Sequence, residues 1–350
     1  PSGKFPNGYE ILNSYNQFVA NSKEINDLLD NNFEWKELGP FEVPTNKLVY
    51  NSSGLGRLNV VRIHPSDDNI IWVGSAGGGA WISTNKGQSW SKSDFTDILS
   101  IGVSDIAFAP SNPEIMYLAT GDKNGSFMTN EYSVGILKST NSGKTWDLVT
   151  QKYNPTDYFL ASKILVHPLN PDIVIVGTSR HIIKSLNGGK TWENVLQSSS
   201  MFRDLEFNPT NPQIIYASNS NAIFKSIDEG KTWVQVFTMS GGSRIELAVT
   251  PNDSKYVYAI AARGSAGSFL GLAKSVDEGS TFSMISTSPN IFSIEANGTG
   301  SSGQGNYDLA FSVSPADKDL IFAGGIHTWK STNGGLNWKI LNHWTGSYNL

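Results

Sequence analysis

The residues able to do chemistry in this chain sit in its loops, and they are few. Asp122 and Asn124 place oxygen ligands at i and i+2 in Asp122-Lys123-Asn124-Gly125-Ser126, which is how a calcium loop begins. The further acids of a full calcium loop do not follow, so a plain turn is the simpler expectation and no metal site is assigned. Asp122, Glu131 and Asp308 are the acids that proton-transfer chemistry would draw on. Asn297 lies in a loop rich in Gly and Ser. Asp122, Asn124, Glu131, Asn297 and Asp308 therefore mark the candidate ligand-binding loops. The five histidines, His64, His167, His181, His327 and His343, show no metal-ligand spacing. His64 and His167 each precede a Pro, which points to a structural position. No catalytic residue is assigned and no cofactor is expected.

Composition narrows the partners. The net charge is −5 with no basic cluster, so nucleic acid is not an expected partner. No apolar run approaches the ~18–20 residues of a membrane-spanning helix. The absence of cysteine excludes disulfides and thiolate metal sites. Richness in Asn, Ser, Thr, Gly and Trp leads us to expect an exported bacterial protein, secreted or held at the cell surface.

The elements that must position these loops are announced by a repeated phrase, Ser-x-Asn/Asp-x-Gly-x-Thr/Ser-Trp. Its copies are Ser83-Asn85-Gly87-Trp90, Ser139-Asn141-Gly143-Trp146, Ser185-Asn187-Gly189-Trp192, Ser226-Asp228-Gly230-Trp233, Ser275-Asp277-Gly279-Phe282 and, in weaker form, Ser331-Asn333-Gly335-Trp338. Successive copies lie 41 to 56 residues apart. A phrase recurring at such a period is the mark of a repeat architecture. Asn or Asp closes an Asx-turn, Gly accepts a positive φ, and the aromatic opens a strand. Each copy follows strand-like runs such as Ile106-Ala107-Phe108-Ala109-Pro110 and Ile115-Met116-Tyr117-Leu118-Ala119. Four short strands per repeat, set radially, predict an all-β propeller. A residue repeated six times around a ring is structural, so the phrase itself is not a site.

The phrase resembles the Asp-box, or BNR repeat, of sialidase-like and sortilin-like propellers, over about residues 55–345. The chain also resembles propeller regions of secreted bacterial surface proteins. The resemblance implies a propeller of four-stranded blades. It also directs attention to two activities. Sialidase chemistry needs three substrate-binding arginines, and Arg57, Arg62, Arg180, Arg203, Arg244 and Arg263 show no such pattern. Xyloglucan-cleaving relatives carry a catalytic Asp in a segment matching Ser75–Trp81, where this chain has Ala76. The expected function is therefore a non-catalytic binding or scaffold propeller that recognises a glycan or protein. The alternatives are a glycoside hydrolase or lyase with an unrecognised site, and an assembly factor that holds a protein client.

Along the chain, residues 1–32 have apolar spacing that predicts a short helical arm. Residues 33–350 are assigned to the propeller. Phe33-Glu34-Trp35-Lys36-Glu37-Leu38 resembles the strand after each phrase, which leads to the expectation that the ring continues past residue 350 into further domains of the same chain. Three segments exceed the repeat minimum, Asp122–Ser133, Ala262–Gly271 and Ser293–Asn306. Long loops on a rigid scaffold are where function tends to sit.

Overall fold

The structure, a computed structural model, describes residues 57–93, 102–125, 133–151, 153 and 157–342. The expected helical arm, the strand-like segment at residues 33–40, Glu131 and the chain beyond residue 342 lie outside the described residues. Those described form six four-stranded antiparallel sheets and no α-helix.

The first blade comprises β1 (Leu58–His64), β2 (Asp67–Ser75), β3 (Ala80–Ser83) and β4 (Ser91–Lys92). The second is β5 (Val103–Ala109), β6 (Asn112–Thr120), β7 (Ile136–Ser139) and β8 (Asp147–Leu148). The third is β9 (Ala161–Val166), β10 (Val174–Thr178), β11 (His181–Ser185) and β12 (Glu193–Gln197). The fourth is β13 (Asp204–Phe207), β14 (Ile215–Ser218), β15 (Ala222–Ser226) and β16 (Val234–Thr238). The fifth is β17 (Gly242–Val249), β18 (Val257–Arg263), β19 (Phe269–Ser275) and β20 (Ser283–Ser286), and the sixth is β21 (Ala310–Val313), β22 (Ile321–Gly324), β23 (Thr328–Ser331) and β24 (Lys339–Asn342). Each blade is a simple meander, and the six range around one axis as a β-propeller. Pro stops the inner strand just before the first hairpin, where no ladder donor is needed.

The phrase closes the hairpin between the third and fourth strands, by one set of bonds used six times. The Ser hydroxyl donates to the Asn or Asp Oδ1 at 2.7–3.0 Å. It accepts the Gly amide at 2.8–2.9 Å. Oδ1 also accepts the amide four residues on at 2.8–2.9 Å. The residue before the Gly has positive φ as well, as at Lys86, Ser142, Glu229 and Glu278, and two copies place Gly188 and Gly334 there. Its amide bonds a carbonyl of the first hairpin of the same blade, Ser142 to Glu114 at 2.9 Å for example. The phrase thus ties two turns of each blade together.

The core lies between blades. Five apolar clusters fill the five seams from the first blade to the sixth. Each inner strand packs on the next from β1 to β21. Aromatic residues of one blade meet the phrase of the next: Trp72 stands edge-on to Trp146 at 6.1 Å, and the Tyr216 hydroxyl donates to the Glu278 carbonyl at 2.9 Å.

Candidate functional site

A meander with its phrase at one end leaves two kinds of connection at the other. These are the loops between second and third strands, and the links from one blade to the next inner strand. Both surround the start of the inner strands, at one mouth of the central channel. Asp122, Lys123 and Asn124 follow β6, Arg57 precedes β1, Arg203 precedes β13, and Tyr307 and Asp308 precede β21. Of these, Arg57, Lys123, Asn124, Tyr307 and Asp308 line a cavity of about 310 Å³ that reaches all six inner strands.

The wall of the channel is an ion-pair belt. One register position of the inner strand carries Val60, Asp105, Lys163, Asp204, Glu246 and Ala310 in the six blades. Arg62 pairs with Asp105 at 2.8 Å, and Asp105 accepts the Ile164 amide of the third blade at 2.8 Å. Lys163 pairs with Asp204 at 2.7 Å and Glu206 at 3.0 Å. Asp204 in turn accepts the Leu247 amide of the fifth blade at 2.9 Å. Arg244 pairs with Glu246 at 2.7 Å and donates to the Tyr307 and Leu309 carbonyls at 3.0 and 2.8 Å. The belt therefore joins each blade to the next, from the first to the sixth. Burial alone would strip the proton from Lys163, but Asp204 and Glu206 outweigh it and hold the ammonium charged. Burial pushes the Glu206 carboxyl upward against the pull of Lys163.

The mouth above the belt is less complete. Asp122 pairs with Arg57 and accepts Asn59 Nδ2 and the Asn124 amide, both at 3.1 Å. The Arg57 guanidinium lies 4.7 Å from the centre of the Tyr307 ring. Arg203 donates through one Nη to the Lys123 carbonyl at 2.8 Å, while its Nε is buried without a partner. Asn124 Oδ1 and Asp308 Oδ1 are likewise buried and unpartnered. Burial raises the Asp308 carboxyl above its ordinary range, only partly offset by a backbone bond and Arg244. Burial lowers the Lys123 ammonium, opposed by Asp105 and Glu246. Two residues with an unpartnered acceptor, Asn124 and Asp308, thus line one polar mouth, and buried polar groups ordinarily have partners.

Of the loop residues singled out from sequence, Asp122, Asn124 and Asp308 come together here. Asn297 does not: its Oδ1 accepts the Thr299 amide and hydroxyl at 3.1 and 2.8 Å, closing a local turn. Glu131 lies outside the described residues. Asp122 commits its oxygens to Arg57, Asn59 and the Asn124 amide. Among the described residues no three His, Asp or Glu side chains gather as a metal site. Sequence reading missed the belt. Its signal was present, since Asp105, Lys163, Asp204 and Glu246 each stand five residues before the Pro that ends an otherwise apolar strand.

No family model matches the chain, and no curated protein does. Among solved structures, it is similar to the GH74 xyloglucanase from Xanthomonas campestris, with TM-score 0.61 and 18% identity, over 82% of this chain and 45% of that one. The chain thus spans less than half the length of that enzyme. It is also similar to YCF48 from Cyanidioschyzon merolae, with TM-score 0.55 and 17% identity, over 82% of this chain and 85% of that one. A structure of YCF48 bound to D1 peptide gives TM-score 0.52 and 12% identity, over 81% and 83% of the two chains. At these identities the likeness is one of fold, and the fold they share with this chain is the β-propeller.

Proposed function

We propose that this chain is a non-catalytic binding propeller of an exported bacterial protein, built on Asp-box repeats, and that a glycan or protein segment engages the mouth of its channel. The observation that carries this is the pair of buried, unpartnered acceptors there, Asp308 Oδ1 and Asn124 Oδ1. A buried polar group without a partner costs about 1–3 kcal/mol, and a ligand with donors and acceptors would recover that cost. The cations and carboxylates of the mouth and belt largely cancel, so the ligand needs polarity more than net charge. Glycan hydroxyls and backbone amides both answer that description.

The test is binding of the protein to glycan and peptide arrays, repeated with Lys123→Ala and Asp308→Ala. A ligand held by the wild type should be lost at least about tenfold in both variants, the loss of one charge-assisted bond of ~1.5–3 kcal/mol. Failure to find any ligand, or a ligand indifferent to both changes, would sink the reading. Binding to peptides alone would favour the client-holding reading over glycan recognition.

A glycosidase reading draws on the raised Asp308 carboxyl, which suits a general acid. Glycoside hydrolysis ordinarily needs a second carboxylate across the bond. Asp105, Asp122, Asp204, Glu206 and Glu246 are all ion-paired, which weighs against it. Turnover of a polysaccharide panel that disappears in Asp308→Asn would reverse that judgement.

A further inference from the structure

The loop that carries Asn297 holds a chemistry that the mouth does not use. Glu295-Ala296-Asn297-Gly298-Thr299 contains the Asn-x-Thr order of an N-glycan acceptor, with an acid two residues ahead of the Asn. Three further Asn-x-Ser orders start at Asn51, Asn124 and Asn252. The order alone is common and makes no site. What separates the four is the state of the side-chain amide. Asn51 lies outside the described residues. Asn252 has both ends engaged: its Nδ2 donates to the Ala316 carbonyl at 3.0 Å, and its Oδ1 accepts the Lys318 amide at 3.1 Å. Asn124 Nδ2 donates to Asn59 Oδ1 at 3.3 Å, and its own Oδ1 is buried. Asn297 is exposed. Among the described residues its Oδ1 alone is engaged, by the amide and hydroxyl of Thr299, which leaves Nδ2 without a bond.

The turn that presents this Asn is held from beneath. Ile291 and Phe292 are buried at its base. Asn290 Nδ2 donates to the Gly300 and Ser302 carbonyls at 2.7 and 3.1 Å. Gly298 is buried with φ of +69°, and an added Cβ would overlap Pro289. Its amide donates to the Glu295 carbonyl at 2.8 Å. That amide is thereby withheld from the Asn297 side chain, which it would otherwise attack with loss of ammonia. Glu295, Asn297 and Thr299 are all exposed. A carboxamide nitrogen is a poor nucleophile, because its lone pair is delocalised, and a transferase must activate it. The acceptor's part is an unbonded Nδ2, a hydroxyl two residues on and a feature that the transferase can read. The Glu295 carboxylate supplies the last, as a partner for a cationic side chain.

We propose that Asn297 is an acceptor site for an N-linked oligosaccharide delivered from a polyprenyl-pyrophosphate donor. In the transfer, Nδ2 forms a bond to the anomeric carbon of the first sugar. The bond from that carbon to the pyrophosphate oxygen breaks, and the lipid pyrophosphate leaves with the electron pair. The proton lost from Nδ2 passes to a base of the transferase. The proposal rests on the export in the reading above and not on a ligand at the mouth.

The test incubates the folded full chain with a bacterial oligosaccharyltransferase and a polyprenyl-pyrophosphate oligosaccharide, and reads the intact mass. One oligosaccharide should be added, and peptide mapping should place it on Asn297. Asn297→Asp keeps the Oδ1 that Thr299 bonds, as Asp277 does for Thr281 in the phrase, and removes the nucleophile. It should abolish the added mass while circular dichroism shows the fold intact. Glu295→Gln removes only the charge and should slow transfer at least about tenfold, the worth of one charge-assisted bond. A folded protein that gains no mass, while a peptide spanning residues 294–300 is glycosylated, would mean that the fold withholds the Asn, and would overturn the proposal. A peptide that is not glycosylated either would overturn it on the local sequence alone. Transfer to Asn124 or Asn252 in place of Asn297 would overturn it equally. The arrays that test the mouth use the unmodified protein, so either reading can fail without the other.

Discussion

The Lys184 ammonium donates to the Glu229 carbonyl at 2.8 Å, from the third blade to the phrase of the fourth. The same lysine position recurs. Lys138 donates to the Gly188 carbonyl at 3.2 Å, and Lys225 to the Ser280 hydroxyl at 3.1 Å. Lys138 and Lys184, each just before its phrase, thus fasten a blade to the following one at the carbonyl of a left-handed residue, Gly188 and Glu229. Burial lowers the Lys184 ammonium, opposed by Glu229 and Asp228.

Lys184→Met keeps the apolar stem and removes only the donor. It leaves the Glu229 carbonyl without that partner, a loss of about 1–2 kcal/mol. The expected result is a lower urea midpoint at unchanged slope. An unchanged midpoint would mean that water replaces the ammonium at no cost.

Gly143→Ala meets two obstacles. The residue has φ of +79°, and an added Cβ would overlap the Trp72 ring of the first blade. Gly241 has φ of +85° but nothing within 4 Å of an added Cβ, so Gly241→Ala isolates the backbone cost, about 1–2 kcal/mol. Gly143→Ala is expected to cost about 2 kcal/mol more, the range of overpacking in a filled core. Equal losses in the two variants, by denaturant unfolding, would show that Trp72 moves aside freely.

Six hairpins and their strands were legible because each is specified locally. A Ser hydroxyl reaching Asn Oδ1 and Gly N depends on seven or eight residues and nothing else. The charged positions of the belt carried a signal, but its pairing was not legible, because Lys163 and Asp204 are 41 residues apart and meet only after neighbouring blades pack. Nor was the inter-blade role of Lys138, Lys184 and Lys225, whose regular spacing reads equally as a solvated outer face. The mouth was legible in part: Asp122 and Asn124 were marked by their long loop and Asp308 as a candidate acid, whereas Lys123 and Arg203 had no sequence signal beyond their charge. Asn297 shows the weakness of that criterion, since a long loop also needs residues that close its own turns.

Lys163→Met tests the belt. Asp204 is 5% exposed in its side chain and depends on Lys163 for its counter-charge. Burial pushes its carboxyl upward, and Lys163 with the Leu247 amide overcomes this and holds it low. Breaking one side of a buried pair typically costs about 3–5 kcal/mol. Lys163→Met with Asp204→Asn and Glu206→Gln removes the stranded charges, and is expected to regain most of that loss. Chemical denaturation at neutral pH measures both. A triple variant as unstable as the single one would mean that packing around Lys163, and not charge, is what was lost.

Asp277→Asn exploits the fact that four copies of the phrase carry Asn. Bonds from the Thr281 hydroxyl and amide, and from Ser275, hold the Asp277 carboxyl at about 2, below its ordinary 3.8, with slight burial opposing them. The Thr281 hydroxyl donates to Oδ2 at 2.6 Å. In three of the Asn copies the direction reverses, with Asn141 Nδ2 for example donating to the Thr145 hydroxyl at 2.8 Å. The exchange therefore preserves every bond, and stability at pH 7 should change by no more than about 0.5 kcal/mol. The folded value lies below the unfolded one, so the carboxylate stabilises the fold above about pH 4 and loses that contribution as pH falls towards 2. Asn has no such limb. The difference between variant and wild type should accordingly shift in favour of the variant between pH 4 and pH 2. The group is exposed, so solvent screening keeps that shift small, and thermal unfolding at both ends of the range is the measurement. A difference that stays constant with pH would show that the turn tolerates a protonated Asp277 as well as a charged one.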